Sequence, residues 1–135
     1  PRSEVTARGE ELMERMGIAK LATSGVTEVS GGQLQRAGIC RALINDPGIV
    51  FADEPTGALN SATALQILDL LGEIHASGTT LVMVTHDTQV AARADRVLVL
   101  VDGQITEDLL LGKYEEAEGP SRLATVTEAL QRHSV

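Results

Sequence analysis

The sequence predicts an α/β domain with parallel strand pairing. Three observations carry this. Ile49–Ala52 and Thr80–Thr85 are short apolar runs of the kind that form strands buried on both faces of a sheet. Between them, Ser61–His75 repeats apolar residues at helical spacing. After them, Val97–Val101 and Gln104–Glu107 flank Asp102-Gly103, a hairpin-turn dipeptide. Strand, helix, strand, helix, strand is the order that gives right-handed crossovers between parallel strands.

The elements follow in chain order. Ser3–Met16 reads as an amphipathic helix with Val5, Leu12 and Met16 on its apolar side, Ser3 as candidate N-cap and Gly17 as its stop. Leu21–Val29 is polar, contains glycine and reads as loop. Ser30 opens a second helix over roughly 32–44, with Leu34, Ala37 and Ala42 at its small or apolar positions. Asn45-Asp46-Pro47-Gly48 ends it. In the helix over 61–75, Ala64, Leu65, Leu68, Leu71 and Ile74 carry the apolar face, and Ser77-Gly78 breaks it. A short helix is expected around Thr88–Arg93. Leu109–Pro120 reads as an acidic loop, and Thr125–Arg132 as a terminal helix. Three regions are expected: 1–48, helical; 49–108, the strand-bearing core; and 109–135, an acidic extension.

At 135 residues the chain is one domain's worth of material. A chain of this size buries roughly two thirds of its unfolded surface, enough for a core. Phe51 and Tyr114 are the only aromatic residues, which disfavours base-stacking recognition of single-stranded nucleic acid. A net charge of −8 argues against steering towards DNA or an anionic membrane. The single cysteine, Cys40, rules out an internal disulfide and fits a reducing compartment; amid small apolar neighbours it reads as core packing. No apolar run reaches the length of a membrane span, and the first residues lack the layout of a signal peptide. A soluble protein is expected, reaching a membrane only through a partner.

Chemistry concentrates between Val29 and Glu54. Ser30-Gly31-Gly32-Gln33 at a helix start is an anion-site design: glycine lets a phosphate reach the main chain, and the helix dipole favours negative charge there. Taken alone, the same string is equally a plain glycine turn capping a helix. Asp53 and Glu54 end an apolar strand, where open α/β sheets line their ligand crevice. One acid can hold Mg²⁺ and the other can polarise water for attack on a phosphoryl group. The plainer reading is two exposed acids before a proline. His86 follows the next apolar run and gains weight from its pairing with Asp53 and Glu54. Alone, it would be a structural histidine. His75 and His133 lack such a context and read as solvent-facing, and Glu115-Glu116-Ala117-Glu118 as a solvated face. The phosphate-cradling pattern G-x-x-x-x-G-K-[ST] occurs nowhere in the chain.

Together these residues resemble the C-terminal half of the nucleotide-binding domain of an ABC transporter. Val29–Gln33 is similar to the family's LSGGQ signature, with Val for Leu, and Leu34-Gln35-Arg36 continues it. Ile49–Asp53 resembles the Walker B strand, and Glu54 sits at the catalytic glutamate. Gly57-Ala58-Leu59-Asn60 resembles the D-loop, with Asn where Asp is usual, and His86 the switch histidine. Asp102-Gly103-Gln104-Ile105 matches the hairpin that closes most of these domains. The resemblance covers roughly 5–107. The wording of 52–59 is most similar to the branch of macrolide exporters, lipoprotein-release ATPases and bacitracin-type exporters.

The resemblance implies a partial P-loop NTPase fold, a RecA-like three-layer sandwich without its Walker A half. It implies ATP as ligand at Ser30, Gly31, Gly32 and Gln33, Mg²⁺ on Asp53, and Glu54 and His86 as catalytic groups. The signature is expected to act in trans, on nucleotide held by a second ATP-binding subunit. The A-loop, Walker A and Q-loop are absent from the chain, so it should bind ATP weakly alone and be completed by an N-terminal half. Asn60 should weaken communication between subunits. A transmembrane permease is the implied partner, with no nucleic acid. The implied location is cytoplasmic, on the inner face of the cell membrane.

Two other readings stand beside this one. The chain is alternatively a non-catalytic remnant that binds an intact ABC ATPase, or the C-terminal lobe of a DNA-repair or chromosome-maintenance ATPase. Against the last stand Gln33-Leu34-Gln35-Arg36, Pro55-Thr56-Gly57, the net charge and the absence of heptads before Val29.

Overall fold

A computed structural model describes residues 1–133; Ser134 and Val135, the end of the expected extension over 109–135, lie outside the described residues. The chain forms two compact units, Pro1–Val84 and Thr85–Val135.

In the first unit, α1 spans Arg2–Arg15, α2 Gly31–Leu43, β1 Ile49–Asp53, α3 Ser61–Ala76 and β2 Thr80–Val84. The expected helix start shifts: Pro1, not Ser3, is the N-cap of α1, with no side-chain bond to the helix. Gly17 stops α1 as expected, at φ +70°, a conformation that costs glycine nothing. The stretch read as loop over 21–29 contains two 3₁₀ turns at its edges, Ala19–Leu21 and Val26–Glu28.

The three helices and one face of the strand pair enclose the core: Leu12, Met16, Ile18, Ile39, Cys40, Leu43, Ile67, Leu70, Leu71 and Ile74, with Val50, Leu81 and Met83 packed against it. Cys40 is core packing, as the sequence predicts, and burial pushes its thiol pKa up. Several helical faces are rotated from expectation. Val5, Leu34 and Leu65 are exposed, whereas Gly32, Ile39, Cys40 and Leu43 form the buried side of α2, and Ile67 and Leu70 join that of α3. Ala37 and Ala42 of α2 lie outside.

β1 and β2 pair in parallel, with Phe51 opposite Val82 and Asp53 opposite Val84. They were expected to be buried on both faces, and they are not. Val50, Leu81 and Met83 face the core, while Ile49, Phe51, Val82 and Val84 are exposed, Phe51 to 74%. The period of two is that of a strand covered on one side, yet the uncovered side is apolar.

In the second unit, α4 spans Thr88–Ala91, β3 Arg96–Val101, β4 Gln104–Leu110 and α5 Gly119–His133. β3 and β4 form an antiparallel hairpin through Asp102-Gly103, both at positive φ. β4 runs on through Leu109 and Leu110, residues expected in the acidic loop, and α5 begins at Gly119 rather than Thr125. Arg122 ties the helical part of the expected extension over 109–135 to the chain before it. This arginine is 5% exposed and donates to the carbonyls of Ala92, Ala94, Leu111, Gly112 and Lys113. It also lies over the Tyr114 ring at 5.4 Å and beside Glu118. Val90, Val99, Val126 and Ala129 complete this small core.

Candidate functional site

Ser30 is the N-cap of α2. Its hydroxyl accepts from the Gln33 amide at 3.2 Å, and the Gln33 side-chain oxygen accepts from the Ser30 amide at 2.8 Å. This reciprocal box fixes the backbone at the helix start. It engages the Ser30 and Gln33 amides and leaves the Gly31 and Gly32 amides among the first-turn donors that an α-helix cannot satisfy. No acidic residue occupies the first turn of α2. The helix start is therefore electropositive, with nothing of its own to repel an anion.

The two glycines differ. Gly31 is exposed, and a Cβ there would meet only Leu59 Cδ2, at an ordinary 3.5 Å. Gly32 is buried, and a Cβ there would lie 2.5 Å from Thr63 Cγ2 on α3.

Asp53 ends β1 with its side chain exposed. Glu54 follows, half-buried, at φ +46°, in the left-handed region that disfavours residues with a side chain. Its amide donates to the Val84 carbonyl at 2.8 Å and its carbonyl accepts from Gly57 at 3.1 Å. Pro55 and Thr56 are buried inside this turn. The next turn closes from Leu59 to Thr56, after which the Asn60 side chain caps α3 by accepting from the Thr63 amide. Asn60 thus performs a capping task for which aspartate is an equivalent acceptor. The segment over 54–63 runs from the paired acids to the residues that touch both glycines.

His86 belongs to the second unit. It is exposed, on the bend after β2; beside it Asp87 caps α4 through the Gln89 amide. His75 is exposed, as expected. His133 was expected to face solvent; it is half-buried and bonds Glu107 at 3.0 Å.

Two positions hold structural parts that the sequence does not announce. Arg36 donates to the Met16 carbonyl at 2.9 Å and to Gln66 at 3.3 Å, tying α2 to the end of α1 and to α3. In the sequence Arg36 stands out only as part of the signature's continuation. Thr63 gave no signal at all.

Among the described residues no group of three acidic, histidine or cysteine side chains could hold a metal ion. Asp53 is a single exposed carboxylate, which suits Mg²⁺, since that ion usually takes one or two carboxylates and fills its octahedron with water and phosphate oxygens. A cavity of about 190 Å³ opens beside β1, lined by Gly38, Ala42, Phe51 and Asp53 among others. It is below the roughly 300–1,000 Å³ of small-molecule sites, so it supplies no nucleotide pocket. Among the described residues no helix is long and apolar enough to cross a membrane.

The ABC transporter family model matches residues 3–57, a span holding Ser30–Gln33, Asp53 and Glu54. The macrolide export ATP-binding/permease protein MacB of Rhodospirillum rubrum is 46% identical over 108 residues, covering 80% of this chain and 17% of that protein. MacB of Hyphomonas neptunium is 41% identical, covering 96% of this chain and 21% of that protein. The chain therefore spans about a fifth of the length of these curated relatives.

Among solved structures, the ADP conformation of MJ1267, an ATP-binding cassette of an ABC transporter, superposes with a TM-score of 0.78 at 25% identity. It covers 94% of this chain and 50% of that one. The dimeric bacterial ABC transporter cassette MJ0796 gives a TM-score of 0.69 at 38% identity, over 80% of this chain and 47% of that one. These cassettes have the P-loop NTPase fold, so the α/β class expected from the sequence holds. Sequence and fold are thus both shared with these cassettes, and the chain belongs to the ABC transporter ATPase family as ATP-binding-domain sequence.

Proposed function

We propose that this chain supplies the signature and Walker B groups of an ABC exporter ATPase of the macrolide-export branch, and that it hydrolyses ATP only when a Walker A-bearing half completes it. The observation that carries the reading is the Asp53–Glu54 pair, with Glu54 held at φ +46° between the Val84 carbonyl and the Gly57 amide. Unfavourable backbone that is pinned from both sides is a mark of positions kept for chemistry rather than stability.

The roles follow from residue type and from the resemblance to the family. Asp53 would hold Mg²⁺ through a carboxylate oxygen; when bound, that ion neutralises charge on the phosphate oxygens. Glu54 accepts a proton from water as the water oxygen attacks the γ-phosphorus, and the bond to the ADP oxygen breaks. His86 donates a hydrogen bond to the γ-phosphate as negative charge builds there. Ser30, Gly31, Gly32 and Gln33 present helix-start donors to the phosphate of a nucleotide held by a second ATP-binding subunit.

The exposed apolar face of Ile49, Phe51, Val82 and Val84 supports a missing layer: a Walker A-bearing segment of the same domain is the occupant that fits. That the chain covers about half of the solved cassettes supports the same view. The names of the relatives join an ATP-binding part to a permease, so a transmembrane permease is the proposed partner, with the chain at the inner face of the cell membrane.

The test is to purify the chain alone and the chain joined to a Walker A half, then measure magnesium-dependent ATP hydrolysis. The chain alone is expected to be inactive. The completed domain is expected to be active, with Glu54→Gln lowering kcat on the order of 10²-fold or more. Hydrolysis by the chain alone that Glu54→Gln abolishes would overturn the proposal. A completed domain without activity would favour the non-catalytic reading.

A further inference from the structure

Gly31 and Gly32 are adjacent and identical in type, yet the fold treats them differently. A Cβ on Gly31 finds ordinary van der Waals space against Leu59. A Cβ on Gly32 would stand 2.5 Å from Thr63 Cγ2, well inside the closest approach of two carbons. Thr63 cannot yield cheaply. It is β-branched, so its methyl sits one bond from the Cβ and swings only with χ1. It also lies in the first turn of α3, where its amide is held by the Asn60 cap at 2.9 Å.

On the other side, Gly32 lies within the Ser30–Gln33 capping box, whose two bonds fix the same turn. Each helix start is therefore locked by its own cap, and the two locked starts meet where Gly32 has no side chain. Arg36, one turn on, repeats the tie by reaching Gln66 of α3.

We propose that the two glycines do different jobs: Thr63 is a positioning residue that seats the Ser30–Gln33 turn on α3 through the absent side chain of Gly32, and Gly31 alone keeps its α-carbon open towards a ligand. The inference rests on the proposed nucleotide role of this turn for its functional meaning and on the Gly32–Thr63 contact for its structural meaning. It joins the segment that follows the paired acids to the helix start that carries the anion-binding donors. A shift at Thr63 is then a shift at the Gly31 amide, without Thr63 touching nucleotide.

Four variants of the chain separate the jobs: Gly31→Ala, Gly32→Ala, Thr63→Ser and Gly32→Ala with Thr63→Ser. Serine keeps the hydroxyl and removes the methyl that a Cβ on Gly32 would strike. The first readout is the thermal unfolding midpoint of each variant without nucleotide. Gly32→Ala is expected to lower it by about 5 °C, as overpacking does in a chain of this size. The double variant is expected to return to the midpoint of Thr63→Ser, and Gly31→Ala to match the parent.

The second readout is ATPase turnover after joining each variant to a Walker A half. Gly31→Ala is expected to lose kcat with its midpoint intact. Gly32→Ala is expected to recover the rate of Thr63→Ser when the two are combined. A double variant as destabilised as Gly32→Ala, or a Gly32→Ala with an unchanged midpoint, would overturn the inference. Absence of ATPase in the completed parent would count against the proposed function alone, because the midpoints still decide whether Thr63 sets the glycine requirement.

Discussion

The amide of Glu54 donates to the carbonyl of Val84 at 2.8 Å, one step past the last paired residues of β1 and β2. That bond extends the parallel ladder by one rung, onto a residue whose φ of +46° has left strand geometry. The chain turns away at once, and Gly57 donates back to the Glu54 carbonyl. The carboxylate side chain is thereby fixed at its root by two backbone bonds on a strained residue.

This strain has a measurable consequence. A side chain in the left-handed region costs about 1–2 kcal/mol, and glycine's extra unfolded freedom returns part of that. Glu54→Gly is therefore expected to raise the unfolding free energy of the domain, completed by a Walker A half, by about 0.5–1 kcal/mol in urea denaturation, and to abolish ATP hydrolysis. Glu54→Gln keeps the strain and should leave stability close to the parent while lowering turnover on the order of 10²-fold or more. Loss of stability in Glu54→Gly would show that side-chain contacts, not backbone strain, dominate at this position.

Arg122 should be the least replaceable residue of the second unit. It is buried and serves carbonyls from two separate stretches, 92–94 and 111–113, so its removal strands several acceptors away from water. Arg122→Ala is expected to cost at least about 3 kcal/mol. Arg122→Lys should recover less than about half of that, because one ammonium cannot span acceptors that a planar guanidinium reaches together. Chemical denaturation followed through the Tyr114 signal checks this, since the ring stacks under Arg122 at 5.4 Å. A lysine variant as stable as the parent would mean that charge, rather than the fork geometry, holds α5.

Acid should loosen the same unit through Glu107. The Arg132 guanidinium, hydrogen-bonded to it at 2.8 Å, and His133 lower its pKa from 4.5 to about 2. A carboxylate whose pKa is depressed by folding adds stability above its unfolded pKa and loses it as pH falls through its folded one. The contribution of Glu107 is thus complete above about pH 4.5 and fades towards pH 2. Glu107→Gln is expected to lower the unfolding midpoint at neutral pH, and the gap to the parent should close between those two values. A gap that stays constant down to pH 2 would assign the effect to packing instead.

Much of this was legible in the sequence because it is local. The Ser30 cap, the stop at Gly17, the break at Gly78 and the Asp102-Gly103 turn each depend on one or two residues and their backbone demands, and each appears where expected. What the sequence hid is relational. An apolar residue such as Leu34 or Phe51 shows its hydrophobicity but not which neighbour covers it, so the helical faces were misphased and the strands were expected to be covered twice. The close approach at Gly32 depends on where α3 passes, and no single residue states that. Arg122 hid for a similar reason: its acceptors are backbone carbonyls, which carry no side-chain signature. At the site, the sequence supplied residue types and order; the strain at Glu54 came only from the backbone.

The uncovered strand surface leads to the last expectation, that the chain by itself self-associates. Among the described residues β2 pairs only with β1, and β3 only with β4, so each strand pair leaves edges open. The surface beside these edges is apolar: Phe51, Val82 and Val84 on one pair, Leu98, Leu100 and Ile105 on the other. Open edges next to apolar faces recruit further strands, because pairing satisfies backbone groups and removes hydrocarbon from water in one step. Natural edge strands are protected by a lysine or a bulge. Neither β1 nor β2 contains a charged residue apart from Asp53 at its end. Size-exclusion chromatography with light scattering on the order of 100 µM is therefore expected to find dimers or larger species. Val82→Lys with Val84→Lys should shift the population towards monomer by placing charge on the exposed face, and so should addition of a Walker A half, which competes for the same surface. A parent chain that stays monomeric at that concentration and unfolds in one sharp transition would show that these edges are satisfied within the chain, and the missing-layer reading of the exposed face would fall with it.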